Sequence, residues 1–221
     1  MKNNSILKSI NSPRDIKRLN LISLKKLSEE ISLYIQEIVE INGGHYSSPL
    51  GVVDLTIAMH YVYNSPDDKI IWDVGHQAYA HKIITGRREE FKNIRKKNSI
   101  SGFLKRDESK HDIFGAGHAS TSISAALGVA HGRDRNKDSH NVVAVIGDGA
   151  MTGGLAYEGL NNLGYHRTQL TVVLNDNSHS ISKSVGALSR YLTKISTNPT
   201  YNKIRNDIWE ISGKIPLSNT I

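Results

Sequence analysis

The chain has 221 residues, of which 38% are hydrophobic and 22% charged, and none is cysteine. A chain of this length can bury one substantial core and carry a further tail. The lack of cysteine excludes disulfides, thiolate metal ligands and cysteine nucleophiles. No apolar stretch reaches the roughly 20 residues that a membrane span requires. The N-terminus has no apolar signal core either, so we expect a cytoplasmic protein without membrane contact.

The formal net charge of +7 is compatible with a nucleic acid or a small anion as a ligand. The dense basic cluster is GRREEFKNIRKK at residues 86–97, and two glutamates interrupt it. No recognised nucleic-acid reader motif accompanies it. We therefore interpret this segment as a solvated helix face and expect no nucleic-acid partner.

The first third of the chain predicts helices. Ser12 at an N-cap and Pro13 at the first helical position favour a helix start. Apolar residues at three- and four-residue intervals then predict a longer amphipathic helix, which Gly43 ends. These apolar residues are Leu24, Leu27, Ile31, Ile35 and Ile38. A further helix is predicted over residues 52–63.

Three short aliphatic runs are typical of buried β-strands. They cover residues 69–74 (KIIWDV), 142–146 and 170–174. Helices are predicted between them, one ending near residue 86, one beginning around Ser120 and one across 151–164. This alternation indicates an α/β protein with a mostly parallel sheet flanked by helices.

The last segment of the chain has a different composition. From Ser178 onward it is rich in Ser, Asn, Lys and Thr, and only two short stretches show apolar periodicity. We therefore predict a folded domain over residues 1–182 and a loosely packed or mobile tail over residues 183–221.

Oxygen-bearing side chains follow two neighbouring strands of the predicted sheet. Asp148 stands between two glycines after the strand at 142–146, and Asn177 follows the next strand. Adjacent parallel strands would bring both side chains into one crevice at the carboxyl edge of the sheet. A carboxylate and a neutral amide suit Mg²⁺ that completes its shell with water and phosphate oxygens. Gly-Asp-Gly alone also fits a plain turn, and the matching position of Asn177 favours the metal-phosphate site.

Gly-Asp-Gly followed by an asparagine at this spacing is the signature of thiamine-diphosphate enzymes. Six segments together resemble the N-terminal domain of the 1-deoxy-D-xylulose-5-phosphate synthase family, over roughly residues 8–195. They are GGHYSSPLGVVDLT, IIWDVGHQAYAHKIITGRR, SGFLKRDES, FGAGHASTSISAALGVA, VVAVIGDGAMTGG and VLNDNSHSISKSVGALS. This family is related to the transketolases. The resemblance implies a thiamine-diphosphate-binding fold and a transferase that condenses pyruvate with glyceraldehyde 3-phosphate, with loss of CO₂, for isoprenoid, thiamine and pyridoxal synthesis.

The resemblance also implies roles for individual residues. Mg²⁺ would bind to the side chains of Asp148 and Asn177 and to the backbone carbonyl of His179. The remaining implied site residues are Gly149 and Ala150 against the diphosphate, His76 and the loop Gly117, His118 and Ala119 around the cofactor, and His45 at the substrate end. His45 and His76 would be catalytic, because a neutral imidazole can donate to a phosphate or a developing oxyanion. No such role is expected for His60, His131, His140 or His166.

Four positions depart from the family pattern. Family members usually have Ser where Ala119 stands, and its loss removes one possible phosphate hydrogen bond. Ser178 and His179 replace a Glu-Met pair, which need not affect the metal because the ligand is a backbone oxygen. Pro49 replaces a small or amide residue in the loop after His45.

The family enzymes are longer, with three domains, and the resemblance covers the first. The glutamate that activates the cofactor, the rest of its pocket and the basic residues for the substrate phosphate belong to the other domains. We therefore expect this chain to hold the Mg-diphosphate half of the site and to be inactive alone. It would form a homo-oligomer or pair with a chain that carries the missing domains, as in a split enzyme. The alternative is a non-catalytic cofactor-binding or regulatory module that pairs with a full-length homologue.

Overall fold

The computed structural model describes residues 5–115, 117–176, 198–200 and 203. The chain divides into two units, residues 1–181 and 182–221, and every helix and strand below belongs to the first. The predicted tail at 183–221 lies almost entirely outside the described residues, so the predicted division into domains stays a prediction.

A parallel sheet of three strands forms the centre of the described part of the chain. Its strands are β1 (Lys69–Trp72), β2 (Val142–Gly147) and β3 (Thr171–Asn175), in the order β1-β2-β3. The aliphatic run of β2 is buried on both faces, whereas β3 is only partly buried at the edge of the sheet. The central strand β2 is hydrophobic throughout because helices cover both faces of such a sheet.

Helices surround the sheet. They are α1 (Pro13–Ile16), α2 (Leu21–Asn42), α3 (Ser47–Leu50), α4 (Val53–Val62), α5 (Tyr79–Lys82), α6 (Arg88–Phe91), α7 (Ser122–Asn136) and α8 (Gly154–His166). Short 3-10 turns cover Leu7–Ser9 and Ala150–Thr152, and an irregular turn covers Ile83–Arg87. No helix in the described ranges is long and apolar enough to cross a membrane.

The two predicted N-terminal helix signals are confirmed. Ser12 and Asp15 form a capping box around α1, with Pro13 at its first turn. In α2, Leu27, Ile31 and Ile35 are fully buried and pack in one cluster with residues of α4 to α6. Gly43 ends α2 with a positive φ of 70°, and its N–H donates to Val39 O, which is the helix stop that glycine makes easy.

Two predicted boundaries are wrong, and a third is confirmed. The strand expected at 69–74 ends at Trp72. The helix predicted to end near residue 86 is confirmed, since the segment after Tyr79–Lys82 becomes non-helical at Thr85 and Gly86, where φ is 95°. The helix expected across 151–164 begins at Gly154, after a short 3-10 turn.

The interpretation of residues 86–97 as a solvated helix face is also wrong in part. Only Arg88–Phe91 forms a helix, and Phe91 and Ile94 are fully buried. Arg87 is 7% exposed and is paired with Asp112. At least one basic residue of this segment, Arg87, is therefore buried in an ion pair and does not lie on a solvated face.

Candidate functional site

The carboxyl ends of the three strands each lead into an aspartate. Asp73 follows β1, Asp148 follows β2 and Asp176 follows β3. The ladder continues one residue past the strands, since the N–H of Asp73 donates to Val145 O (2.8 Å) and that of Asp148 to Asn175 O (3.0 Å). The three aspartates therefore lie at one edge of the sheet, the edge at which parallel α/β proteins bind ligands.

Open space adjoins Asp148 on both sides. A Cβ atom built on Gly147 or Gly149 meets no atom of the described chain within 4 Å. Gly149 has φ −62°, and Gly147 is not among the positive-φ residues, so the backbone does not require glycine at either position. Neither packing nor backbone strain accounts for this pair of glycines. Among the described residues, the backbone at both glycines is therefore open to close approach.

Only one of the three predicted metal ligands, Asp148, is among the described residues. Asp148 is half-buried at the end of β2. Asn177 and His179 lie outside the described residues, so the ligand set stays a prediction. Over residues 5–115 and 117–176, no three His, Cys, Asp or Glu side chains come together as a metal site.

The segment after Asp148 is shaped by one close contact. Ala150–Thr152 forms the 3-10 turn, and Gly153 is extended with φ −78° and ψ 140°. A Cβ at Gly153 would clash with the side chain of Ser120, so glycine is the residue that fits there. α8 begins directly after it, at Gly154.

The loop before α7 carries three predicted cofactor residues. Gly117, His118 and Ala119 are all exposed. The next residue, Ser120, is 6% exposed, has φ 70°, and its Oγ donates to Ala150 O at 2.7 Å. This hydrogen bond joins the predicted cofactor loop to the predicted diphosphate loop.

The two predicted catalytic histidines face each other. The ring centroids of His45 and His76 are 4.9 Å apart, and Phe103 lies edge-on to His45 at 5.8 Å. The backbone N–H of His45 contacts the Tyr79 hydroxyl oxygen at 3.4 Å. The structure thus brings together residues from the loop after α2, the segment after β1 and the loop at 101–112.

Both rings are neutral at physiological pH. Burial, together with the adjacent His45 ring, lowers the pKa of His76 to about 4. Burial and, to a smaller extent, the charge of Arg95 lower the pKa of His45. The Nδ1 atoms of both histidines are buried without a hydrogen-bond partner in the described structure. A neutral imidazole with a free nitrogen can donate to, or accept from, a bound ligand.

A buried ionic cluster behind this region was not predicted. It consists of His81, Lys82, Arg87, Glu108 and Asp112, and we call it the 81–112 cluster. The guanidinium of Arg87 makes a bidentate pair with Asp112 (2.7 and 2.8 Å), and Lys82 pairs with Glu108. His81 Nε2 lies 3.3 Å from Asp112 Oδ1.

The 81–112 cluster fixes the loop that carries Phe103. Glu108 accepts the N–H of Ser101 (2.6 Å), and Asp112 accepts the N–H of Lys105 (3.2 Å). Burial opposes the charge on Asp112, but the neighbouring His81 and Arg87 outweigh it and hold the pKa of this carboxyl well below its usual range. Asp112 therefore stays ionised, and its hydrogen bond to Lys105 helps to hold the loop beside His45.

Sequence reasoning also missed Asp73 and Ser120. Asp73 was assigned to the first strand, although a polar residue directly after an aliphatic run is the same signal that identified Asp148. His60, for which no role was expected, is fully buried with its Nε2 2.9 Å from His81 Nδ1.

Comparison with a solved structure identifies the class of fold. The structure is similar to the crystal structure of transketolase from Campylobacter jejuni, with a TM-score of 0.68 over 76% of this chain and 30% of that chain. The sequence identity is 20%, so this likeness concerns the fold. The predicted α/β fold with a parallel sheet flanked by helices is confirmed.

Sequence comparison identifies the family. The family model described as 1-deoxy-D-xylulose-5-phosphate synthase matches residues 7–220. The protein of that name from Caldanaerobacter subterraneus subsp. tengcongensis is 57% identical over 211 residues, which are 96% of this chain and 34% of that protein. The protein of that name from Alkaliphilus oremlandii is 56% identical over 210 residues, which are 95% of this chain and 34% of that protein. The chain belongs to the 1-deoxy-D-xylulose-5-phosphate synthase family, and it spans about a third of the length of the curated relatives it matches.

Proposed function

We propose that this chain is the N-terminal part of a 1-deoxy-D-xylulose-5-phosphate synthase and carries the Mg-diphosphate half of its thiamine diphosphate site. The observation that carries the proposal is Asp148, at the carboxyl end of the central strand, between two glycines whose open sides leave room for a ligand. The family to which the chain belongs supplies the identity of that ligand.

The residues present fit Mg²⁺ with a diphosphate. Asp148 and Asn177 would bind the ion through side-chain oxygens, and His179 through its backbone carbonyl. Mg²⁺ prefers such hard oxygen ligands and takes the rest of its octahedral shell from water and phosphate. Gly149 and Ala150 would contact the diphosphate through the backbone, which the missing Cβ at residue 149 permits.

The histidines would act at the other end of the cofactor. Thiamine diphosphate, when bound, supplies the carbanion chemistry that permits loss of CO₂ from a 2-oxo acid. His76 and the loop Gly117, His118 and Ala119 would line the cofactor, and His45 would face the substrate. Because the pKa of His76 is lowered to about 4, its ring would act as a neutral donor or acceptor of one hydrogen bond.

The whole reaction would be the condensation of pyruvate with glyceraldehyde 3-phosphate, a transfer of a two-carbon unit with loss of CO₂. The chain would work in the cytoplasm as a homo-oligomer or paired with a chain that carries the remaining domains. Exposed apolar side chains on α8, Leu155, Tyr157 and Tyr165, are compatible with such pairing. Alone, the chain would bind the cofactor without turnover. Mixing it with the remaining domains should restore synthesis of product, and failure to do so would rule out a split enzyme.

The decisive experiment is calorimetric titration of the 221-residue chain with thiamine diphosphate, in the presence of Mg²⁺ and again with a chelator. We expect binding that depends on Mg²⁺ and is lost in Asp148→Ala. Asp138→Ala is the matched control, because Asp138 is an exposed aspartate in the loop before β2, at the opposite end of that strand. Equal binding by wild type and Asp148→Ala would contradict the assignment of the site.

A further inference from the structure

Asp73 is a buried carboxylate in the space between β1 and the start of α7. It is 1% exposed, and both of its oxygens accept backbone N–H groups. Oδ1 accepts from Ser120 (2.8 Å) and Oδ2 from Ser122 (3.0 Å). Because these donors are Ser122, the first residue of α7, and Ser120, two residues before it, the carboxylate holds the end of the loop at 117–119.

Ser120 connects this loop end to the loop after β2 through its side chain. Its hydroxyl donates to Ala150 O at 2.7 Å, and its side chain fills the space above Gly153. Ser120 also has a left-handed φ of 70°, a conformation that costs energy for a residue with a Cβ and needs surrounding contacts to persist. The two hydrogen bonds to Asp73 in this segment provide such contacts.

We propose that Asp73 is a positioning residue that sets the geometry of the Mg-diphosphate loop, acting through Ser120 on Ala150. The inference rests on the proposed function, and it adds a residue that touches neither metal nor diphosphate. A chain of contacts, Asp73 to Ser120 to Ala150, connects the end of β1 with the turn that follows Asp148. Preorganisation of this kind lowers the cost of ordering the loop when the ligand binds.

Asp68 provides a matched control at the other end of β1. It immediately precedes the strand, as Asp73 immediately follows it, and is 7% exposed. Its carboxylate also accepts two backbone N–H groups, from Asn64 (2.7 Å) and Asn141 (2.7 Å). Asp68 Oδ1 also accepts the side-chain amide of Asn141 (3.0 Å). Both carboxylates thus accept two backbone N–H groups, but only Asp73 lies at the carboxyl end of β1.

The test compares Asp73→Asn, Ser120→Ala and Asp68→Asn with wild type. In Asp73→Asn, the new amide nitrogen faces an N–H donor, so one of the two hydrogen bonds is lost. Ser120→Ala keeps both bonds to Asp73 and removes only the link to Ala150. With saturating Mg²⁺, we expect the Kd for thiamine diphosphate to rise about ten-fold in Asp73→Asn and several-fold in Ser120→Ala. Asp68→Asn should bind as wild type does, although its melting temperature falls about as far as that of Asp73→Asn.

Amide hydrogen exchange without ligand provides a second readout. The segment at 149–153 should exchange faster in Asp73→Asn and in Ser120→Ala, and at the wild-type rate in Asp68→Asn. Unchanged exchange of this segment in both site variants would overturn the proposal, as would equal effects of Asp73→Asn and Asp68→Asn on Kd. If the wild-type chain binds no thiamine diphosphate, the proposed function fails, and the exchange rates still decide whether Asp73 sets the loop. Ser120→Ala keeps the test informative if Asp73→Asn does not fold.

Discussion

Removal of Arg87 should destabilise the chain strongly, because it leaves a buried charge without its partner. The side chain of Asp112 is 0% exposed and that of Arg87 is 8% exposed. In Arg87→Met the bidentate pair is lost and the carboxylate of Asp112 remains buried. Breaking a buried pair from one side costs about 3–5 kcal/mol. This is a large share of the roughly 5–15 kcal/mol that keeps a typical domain folded.

Urea unfolding at pH 7 measures this loss. The control is Lys92→Met, since Lys92 and Glu89 form a pair whose side chains are 53% and 62% exposed, and such pairs contribute at most about 1 kcal/mol. Arg87→Met combined with Asp112→Asn removes the buried charge as well and should recover part of the loss. If Arg87→Met lowers the free energy of unfolding no more than Lys92→Met does, the 81–112 cluster does not stabilise the fold.

Two further predictions concern stability. Burial lowers the pKa of the fully buried His60 and His81 in the folded state, so below about pH 6.5 the unfolded state binds more protons. The free energy of unfolding should therefore fall as the pH decreases below about 6.5, with a slope of at most about 1.4 kcal/mol per pH unit for each of these histidines. Urea unfolding between pH 7 and 5 checks this, and an equal slope in His60→Asn would contradict it. Gly86→Ala should lower the melting temperature, because φ is 95° and a Cβ would lie 2.9 Å from a backbone carbonyl oxygen. Gly132→Ala, in the middle of α7 with open space at its Cβ, should instead stabilise by about 0.5–1 kcal/mol.

Local sequence patterns predicted the elements that are determined by residues close to one another in the chain. The apolar spacing of α2 and the glycine after it specify a helix and its end without help from the rest of the chain. The unbroken aliphatic run of β2 likewise predicts a strand buried on both faces, and from it the position of Asp148 at the ligand edge follows. The helix after β1 likewise ends near Gly86, as predicted, because this glycine is left-handed. Its proximity to Asn11 O, a contact between distant parts of the chain, could not be predicted from local patterns.

The unpredicted part of the site depends on contacts across the fold. Asp73 acts on residues that follow it by more than forty positions, and no periodicity connects them. The 81–112 cluster was missed for a related reason. Charged residues are mostly exposed, so a sequence rich in them is interpreted as surface unless the partner of each charge is known. Arg87 and Asp112 form a buried pair only because the fold brings a turn after α5 against the loop at 101–112.

In the proposed function, the contacts at the carboxyl edge of the sheet belong to cofactor binding and not to activation of the cofactor. Asp148 is held by its N–H bond to Asn175, Ala150 by Ser120, and Ser120 by Asp73, and all of these residues lie within the first unit of the chain. These contacts of the diphosphate loop are therefore all made within the first unit. Catalysis requires in addition the activation of the cofactor, which in the proposed function belongs to other domains. In the proposed function, Mg-dependent binding of thiamine diphosphate would therefore rest on residues of this chain, and turnover would require the domains that a partner supplies.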